Sequence, residues 1–135
     1  MVKKFLIWVW QLPQNLIGFV YVNLFAKALY IFDKDIWVWF APCFRAGVTL
    51  GEYIILDPIY KNAFPEDLRK TILHEYGHVK QSRILGWFYL FIVGIPSVIR
   101  NVLNRINPVK FNLKWYYSGF PEKQADKLGG VEDRW

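Results

Sequence analysis

The chain holds only two histidines among its 135 residues, and both fall in His74-Glu75-Tyr76-Gly77-His78. On an α-helix, positions i and i+4 lie on one face, a turn apart. Two imidazoles so placed can ligate one metal ion, zinc above all, and Glu75 then stands near the open coordination position. A carboxylate there can act as general base toward water. The competing account is a chance grouping of two helical histidines and a glutamate. The helical context, the lack of other histidines and an acidic pair downstream weigh for the metal.

A catalytic zinc takes three protein ligands and a water. With both histidines used and the lone Cys43 upstream in a predicted strand, a carboxylate is the expected third ligand. Glu122 is favoured, because Glu122 and Asp126 form E-x-x-x-D on a predicted final helix. One turn apart, the first reaches the metal while the second accepts the other ring N–H of a ligand histidine, fixing that ring. The alternative is a solvated acid pair on a short helix. Glu132 and Asp133, beyond Gly129-Gly130, are weaker candidates at the end of the chain.

The elements that must position these residues follow from periodicity and breakers. A helix is predicted from Pro65, at or near its first position, with Glu66 and Asp67 in the first turn and Gly86 at its end. It carries the histidines. Before it, residues 36–40 and 48–56 are rich in β-branched and aromatic types and punctuated by Gly47, Gly51, Pro42 and Pro58. These predict two or three short strands. Residues 5–26 contain no charge but are interrupted by Gln11, Pro13, Gln14, Asn15, Gly18 and Asn23. A short helix near 3–11 and a second near 13–30 are expected, with a break before Pro13. The polar interruptions argue against a cleaved signal peptide. Residues 84–99 are also charge-free. As a helix this stretch would be ~24 Å long, short of a ~30 Å hydrocarbon core, and Pro96 is expected to bend or end it. A buried or half-embedded helix is therefore expected there. A short helix from Pro121 is expected to end at Gly129-Gly130.

One domain is expected for this length. The hydrophobic fraction is 54%, aromatics 19% and mean hydropathy +0.14, so either the core is aromatic-rich or apolar surface meets a membrane or partner. Cys43 cannot form an internal disulfide and is expected to be a small buried apolar residue. The net charge of +6 comes from scattered basic residues rather than a block, which argues against nucleic acid. It suits anionic lipid head groups or a merely soluble basic surface. If residues 5–26 and 84–99 meet lipid, an exposed apolar patch is expected with Lys3, Lys4, Arg83 and Arg100 at its rim.

H-E-x-x-H followed by E-x-x-x-D resembles the gluzincin clan of zinc metallopeptidases, to which thermolysin belongs, and its minimal members in size. The string from His74 to Ser82 is also similar to bacterial proteins with H-E-Y-G-H-x-x-Q-S before an apolar segment. The resemblance covers residues 48–82 and 116–130, a little over a third of the chain. It implies zinc held by His74, His78 and Glu122, a general base at Glu75, and Asp126 orienting a histidine. It also implies a substrate peptide paired with an edge strand within 48–56. The interval from His78 to Glu122 is longer than in thermolysin, and no third histidine is present to stabilise an oxyanion. Tyr117, or its neighbour Tyr116, is the candidate phenol donor, unless both are core aromatics. The expectation is thus a minimal zincin-like α+β domain over residues 1–135, membrane-associated or else cytoplasmic, hydrolysing a peptide or protein substrate. The alternatives are a non-catalytic zinc-stabilised module and a membrane-surface interaction protein.

Overall fold

The fold is α+β: six helices and a four-stranded mixed sheet in the order β1-β2-β4-β3, seen in a computed structural model that describes residues 1–132 and 134. Helix α1 (Val2–Trp10) and helix α2 (Leu12–Phe25) meet at Gln11, which is non-helical at φ −107° and ψ 23°. Pro13 lies in the first turn of α2, where its missing N–H costs nothing, and the two helices diverge by 94°. Helix α2 is shorter than expected. Ala26 is extended, and residues expected to be helical join strand β1 (Ala28–Asp33), which pairs antiparallel with β2 (Ile36–Phe40). Pairing with β2 outweighs the weak local helix preference of Leu29-Tyr30-Ile31.

Strands β3 (Gly47–Leu50) and β4 (Tyr53–Leu56) form a hairpin, and β4 lies parallel to β2. The pleat sends alternate residues to opposite faces. Val38, Phe40, Ile54 and Leu56 pack against Ile72 and Val79 of helix α3 (Pro65–Leu85). Ile55 and Ala41 turn the other way, onto Val22 of α2. The sheet is therefore sandwiched between α2 and α3, and α3 presents the His74–His78 face away from the sheet's centre.

Helix α3 has the expected boundaries. Pro65 is in its first turn with Glu66 and Asp67, and Gly86 closes it at φ +55°. Beyond it, the charge-free segment is not one helix. It runs through a 3-10 turn (Gly86–Phe88) and a π-helical turn (Leu90–Gly94) before helix α4 (Ile95–Ile106). Pro96 starts α4 rather than ending a helix, as its fixed φ and missing N–H allow at a first turn. Helix α5 (Leu113–Ser118) is capped by Asn112, whose Oδ1 accepts from the Trp115 N–H at 2.9 Å. Helix α6 (Glu122–Gly129) ends at Gly130 in the left-handed region.

Candidate metal centre

Helix α6 lies across α3 with backbones in contact, and two glycines make this approach feasible. A Cβ at Gly77 would sit 1.8 Å from the Ala125 carbonyl oxygen, and one at Gly129 would sit 1.8 Å from that of Leu73. The crossing brings the first residue of α6, Glu122, over the two histidines. His74 Nε2 is 3.0 Å and His78 Nε2 3.1 Å from the same oxygen, Glu122 Oε2. The rings stand edge to face, with centroids 4.8 Å apart. All three side chains are buried, and their ligand atoms lie within 4.8 Å of one another. Three residues expected to converge thus form a group able to hold a metal ion.

The ring nitrogens facing away from this point are each fixed by an acceptor. His74 Nδ1–H donates to Asp126 Oδ1 at 2.7 Å, the contact expected from the E-x-x-x-D spacing. His78 Nδ1–H donates to Gln81 Oε1 at 2.7 Å. The Gln81 amide is itself oriented, since its Nε2 donates to Pro121 O at 3.0 Å and Gln124 Oε1 at 2.9 Å. With both Nδ1 atoms committed as donors, both Nε2 atoms are directed at Glu122, the tautomer a metal requires. Asp126 also accepts from Arg134, whose guanidinium stacks 3.6 Å from the Tyr117 ring centroid. The other Glu122 oxygen accepts from Ser97 Oγ of α4.

Burial disfavours the charged form of His74, but hydrogen bonds with Asp126 and Glu122 prevail and raise its pKa to about 9. Burial likewise opposes ionisation of Glu122, yet the hydrogen bonds to His74 and His78 hold it well below the usual carboxylate range. Asp126 is lowered in the same way, against its burial, by His74 and Arg134. A buried carboxylate facing two Nε2 atoms, each ring braced from behind, fits a divalent cation by charge and by donor type.

Glu75, one residue along α3, points to the sheet side of this group. Its Oε2 accepts from Thr49 Oγ1 of β3 at 2.7 Å, and it is buried. Gly47 makes room for it, because a Cβ there would sit 2.6 Å from Glu75 Oε1. Glu75 and His78 both line a cavity of about 830 Å3 whose walls are largely apolar, including Val48, Leu50, Tyr89, Ile95 and Val98. Tyr116 also lines it, and burial pushes its phenol well above the ordinary value despite a hydrogen bond with Ser97. Tyr117 is placed differently. Its ring packs edge-on against His74, at 5.2 Å between centroids, and it does not line the cavity.

Cys43 is buried, its Sγ–H donating to Ala46 O at 2.8 Å, and burial, aided by Asp57 and Glu75, pushes its thiol up to about 12. Glu132 is exposed and outside the metal group, while Asp133 lies outside the described residues. Thr49 and Ser97 were not singled out by sequence, and Gln81 stood only as the Q of the H-E-Y-G-H-x-x-Q-S string, with no role given to it. Only Gln81 has a local signal, standing three residues after His78 on the same helix face. Compared with known protein families, curated proteins and solved structures, the chain matches none.

Proposed function

We propose that the chain is a zinc-dependent metallopeptidase of gluzincin type, hydrolysing peptide bonds of a peptide or protein substrate. The observation that carries this reading is the convergence of His74, His78 and Glu122 beside a buried Glu75 that opens on a cavity. Two neutral imidazoles and one carboxylate are a zinc donor set, and zinc at such a site supplies Lewis acidity toward water and a carbonyl. Glu75, steadied by Thr49, accepts a proton from water and returns it to the departing amine. The phenol of Tyr116, kept protonated by burial, donates to the developing oxyanion. Asp126 and Gln81 hold the histidine rings in register, and the largely apolar walls keep bulk water from the reacting groups.

A base beside the metal separates this reading from a structural site, which would close its fourth position with protein. The test compares the parent chain with Glu75→Gln for zinc content and for cleavage of an unbiased peptide mixture. The expected result is one zinc per chain in both, with cleavage products only from the parent. Equal cleavage by both proteins, or no zinc in the parent after reconstitution, would refute the proposal.

A further inference from the structure

Helix α2 is turned inside out for a protein surrounded by water. Its polar residues Gln14 and Asn15, with Gln11 just before it, are 0% exposed, although Asn23 is exposed and Val22 buried, whereas Phe19 is 47% and Leu24 69% exposed. The buried amides are used as structural ties. Gln14 Nε2 donates to Ser82 Oγ at 2.9 Å and to Gly86 O at 2.7 Å. Asn15 Oδ1 accepts from the Glu52 N–H at 2.7 Å. A helix folding in water buries its apolar stripe and exposes its polar one. The reverse arrangement needs a surrounding medium that is itself apolar.

The same condition recurs after α3. Phe88, Phe91, Val98 and Ile106 are all exposed. Trp10 and Trp87 are each about half exposed, yet their indole N–H groups are satisfied within the protein, by Arg83 O at 3.0 Å and Val9 O at 3.1 Å. An outward indole whose donor is already satisfied by the protein suits surroundings without acceptors. Charge follows the same division. Segments 1–27 and 84–121 contain seven basic residues and no acidic one, while the rest of the chain has ten basic and eleven acidic residues. The apolar layer is therefore wholly cationic, and the sheet layer is nearly neutral.

From these observations we infer that the outward faces of α1, α2 and the 87–109 segment seat the chain, as a monotopic protein, on an anionic lipid bilayer. No single helix among the described residues is long and apolar enough to cross a bilayer, and α1 and α2, which pass that test of length and composition only as a pair, are bent by 94°. Helix α2 alone covers ~21 Å, short of a ~30 Å core. The basic residues are not arranged wholly as a sequence reading expects. Lys3 and Lys4 are exposed, whereas Arg83 pairs with Glu52 at 2.7 Å and Arg100 is drawn onto the Trp115 ring and the end of α5. Ile95, Val98 and Val102 belong both to this surface and to the wall of the cavity above Glu75, so the cavity's rim lies at the lipid level.

The experiment is flotation of the full chain with phosphatidylcholine vesicles, with and without phosphatidylglycerol, beside the double variant Phe19→Asp/Leu24→Asp. A second variant, Phe88→Asp/Phe91→Asp, tests the other segment independently. Far-UV circular dichroism and zinc stoichiometry verify that each variant is folded, and they do not depend on any peptidase activity. The parent is expected to float with phosphatidylglycerol vesicles, more weakly at high salt or without the anionic lipid. Each variant should lose at least about tenfold in partitioning, given the transfer free energy of two large apolar side chains. A parent that stays unbound with phosphatidylglycerol vesicles would overturn the inference. So would folded variants that float as well as the parent, or a lipid-free dimer of the parent that does not float.

Discussion

Replacing Gly77 by alanine tests the packing that assembles the centre, and two opposed effects decide its outcome. Within an exposed helix, alanine gains about 1 kcal/mol over glycine. Here the added Cβ would lie 1.8 Å from the Ala125 carbonyl oxygen and 2.5 Å from its carbon, both backbone atoms that cannot swing aside. Restoring a 3.0 Å contact moves α6 from α3 by roughly 1.2 Å, over twice the ~0.5 Å within which a functional constellation must be held. Overpacking of this kind costs about 1–3 kcal/mol, so it offsets or exceeds the helix gain and net stability changes little or falls. Metal binding should suffer far more, because Glu122 rides on α6 while both histidines ride on α3. Disturbing only the groups that brace metal ligands costs ~10–100-fold in affinity, and a displaced ligand should cost at least that. Zinc affinity measured by chelator competition, with denaturant melts in parallel, reads both terms. Gly94→Ala is the control, since its Cβ would meet nothing nearer than 3.7 Å. A Gly77→Ala protein that binds zinc as tightly as the parent would refute this account of how α6 delivers Glu122.

Gln81→Leu removes the acceptor for His78 Nδ1–H and should weaken zinc binding ~10–100-fold, whereas Gln81→Glu, which keeps an acceptor, should retain most of it in the same competition assay. Burial would raise the Glu52 carboxyl, but hydrogen bonds from Arg83 and Gln11 and the Arg83 charge hold it below its ordinary value. Its contribution is therefore complete above the unfolded carboxyl pKa and is lost as pH falls through the lower folded one. Glu52→Gln should cost about 1 kcal/mol near neutrality and progressively less in acid, measured by urea melts across pH. An equal deficit at every pH would show that ionisation of Glu52 is not the source.

The parts of the site that were legible in sequence are those set by helix periodicity. His74 and His78 had to share a face, and Glu122 and Asp126 had to be one turn apart on a helix closed by Gly129-Gly130. Thr49 and Ser97 were not legible, because they reach Glu75 and Glu122 across 26 and 25 residues and carry no local pattern. Gly77 was visible only as an unremarked position inside the motif, since its role depends on a backbone 48 residues away at Ala125. Strand β1 was missed for another reason. Its apolar residues Leu29, Tyr30 and Ile31 are exposed in succession, so the alternation that marks a half-buried strand is absent.

The polar interruptions of residues 5–26 show why composition alone could not separate a core from a lipid-facing layer. Read along the chain, Gln11, Gln14 and Asn15 interrupt an apolar run and argue against a cleaved signal peptide. In the fold all three are fully buried. They turn inward and bind Glu52, Ser82 and Gly86, tying the α1–α2 corner to the β-hairpin and to the end of α3. An amide buried without a partner would cost several kcal/mol, so this corner is stable only if those partners are in place. Glu52 is then shared between Gln11 and Arg83, the last basic residue of the helix that carries both histidines. The α1–α2 corner and the helix that carries both histidines are thus coupled through a small polar cluster.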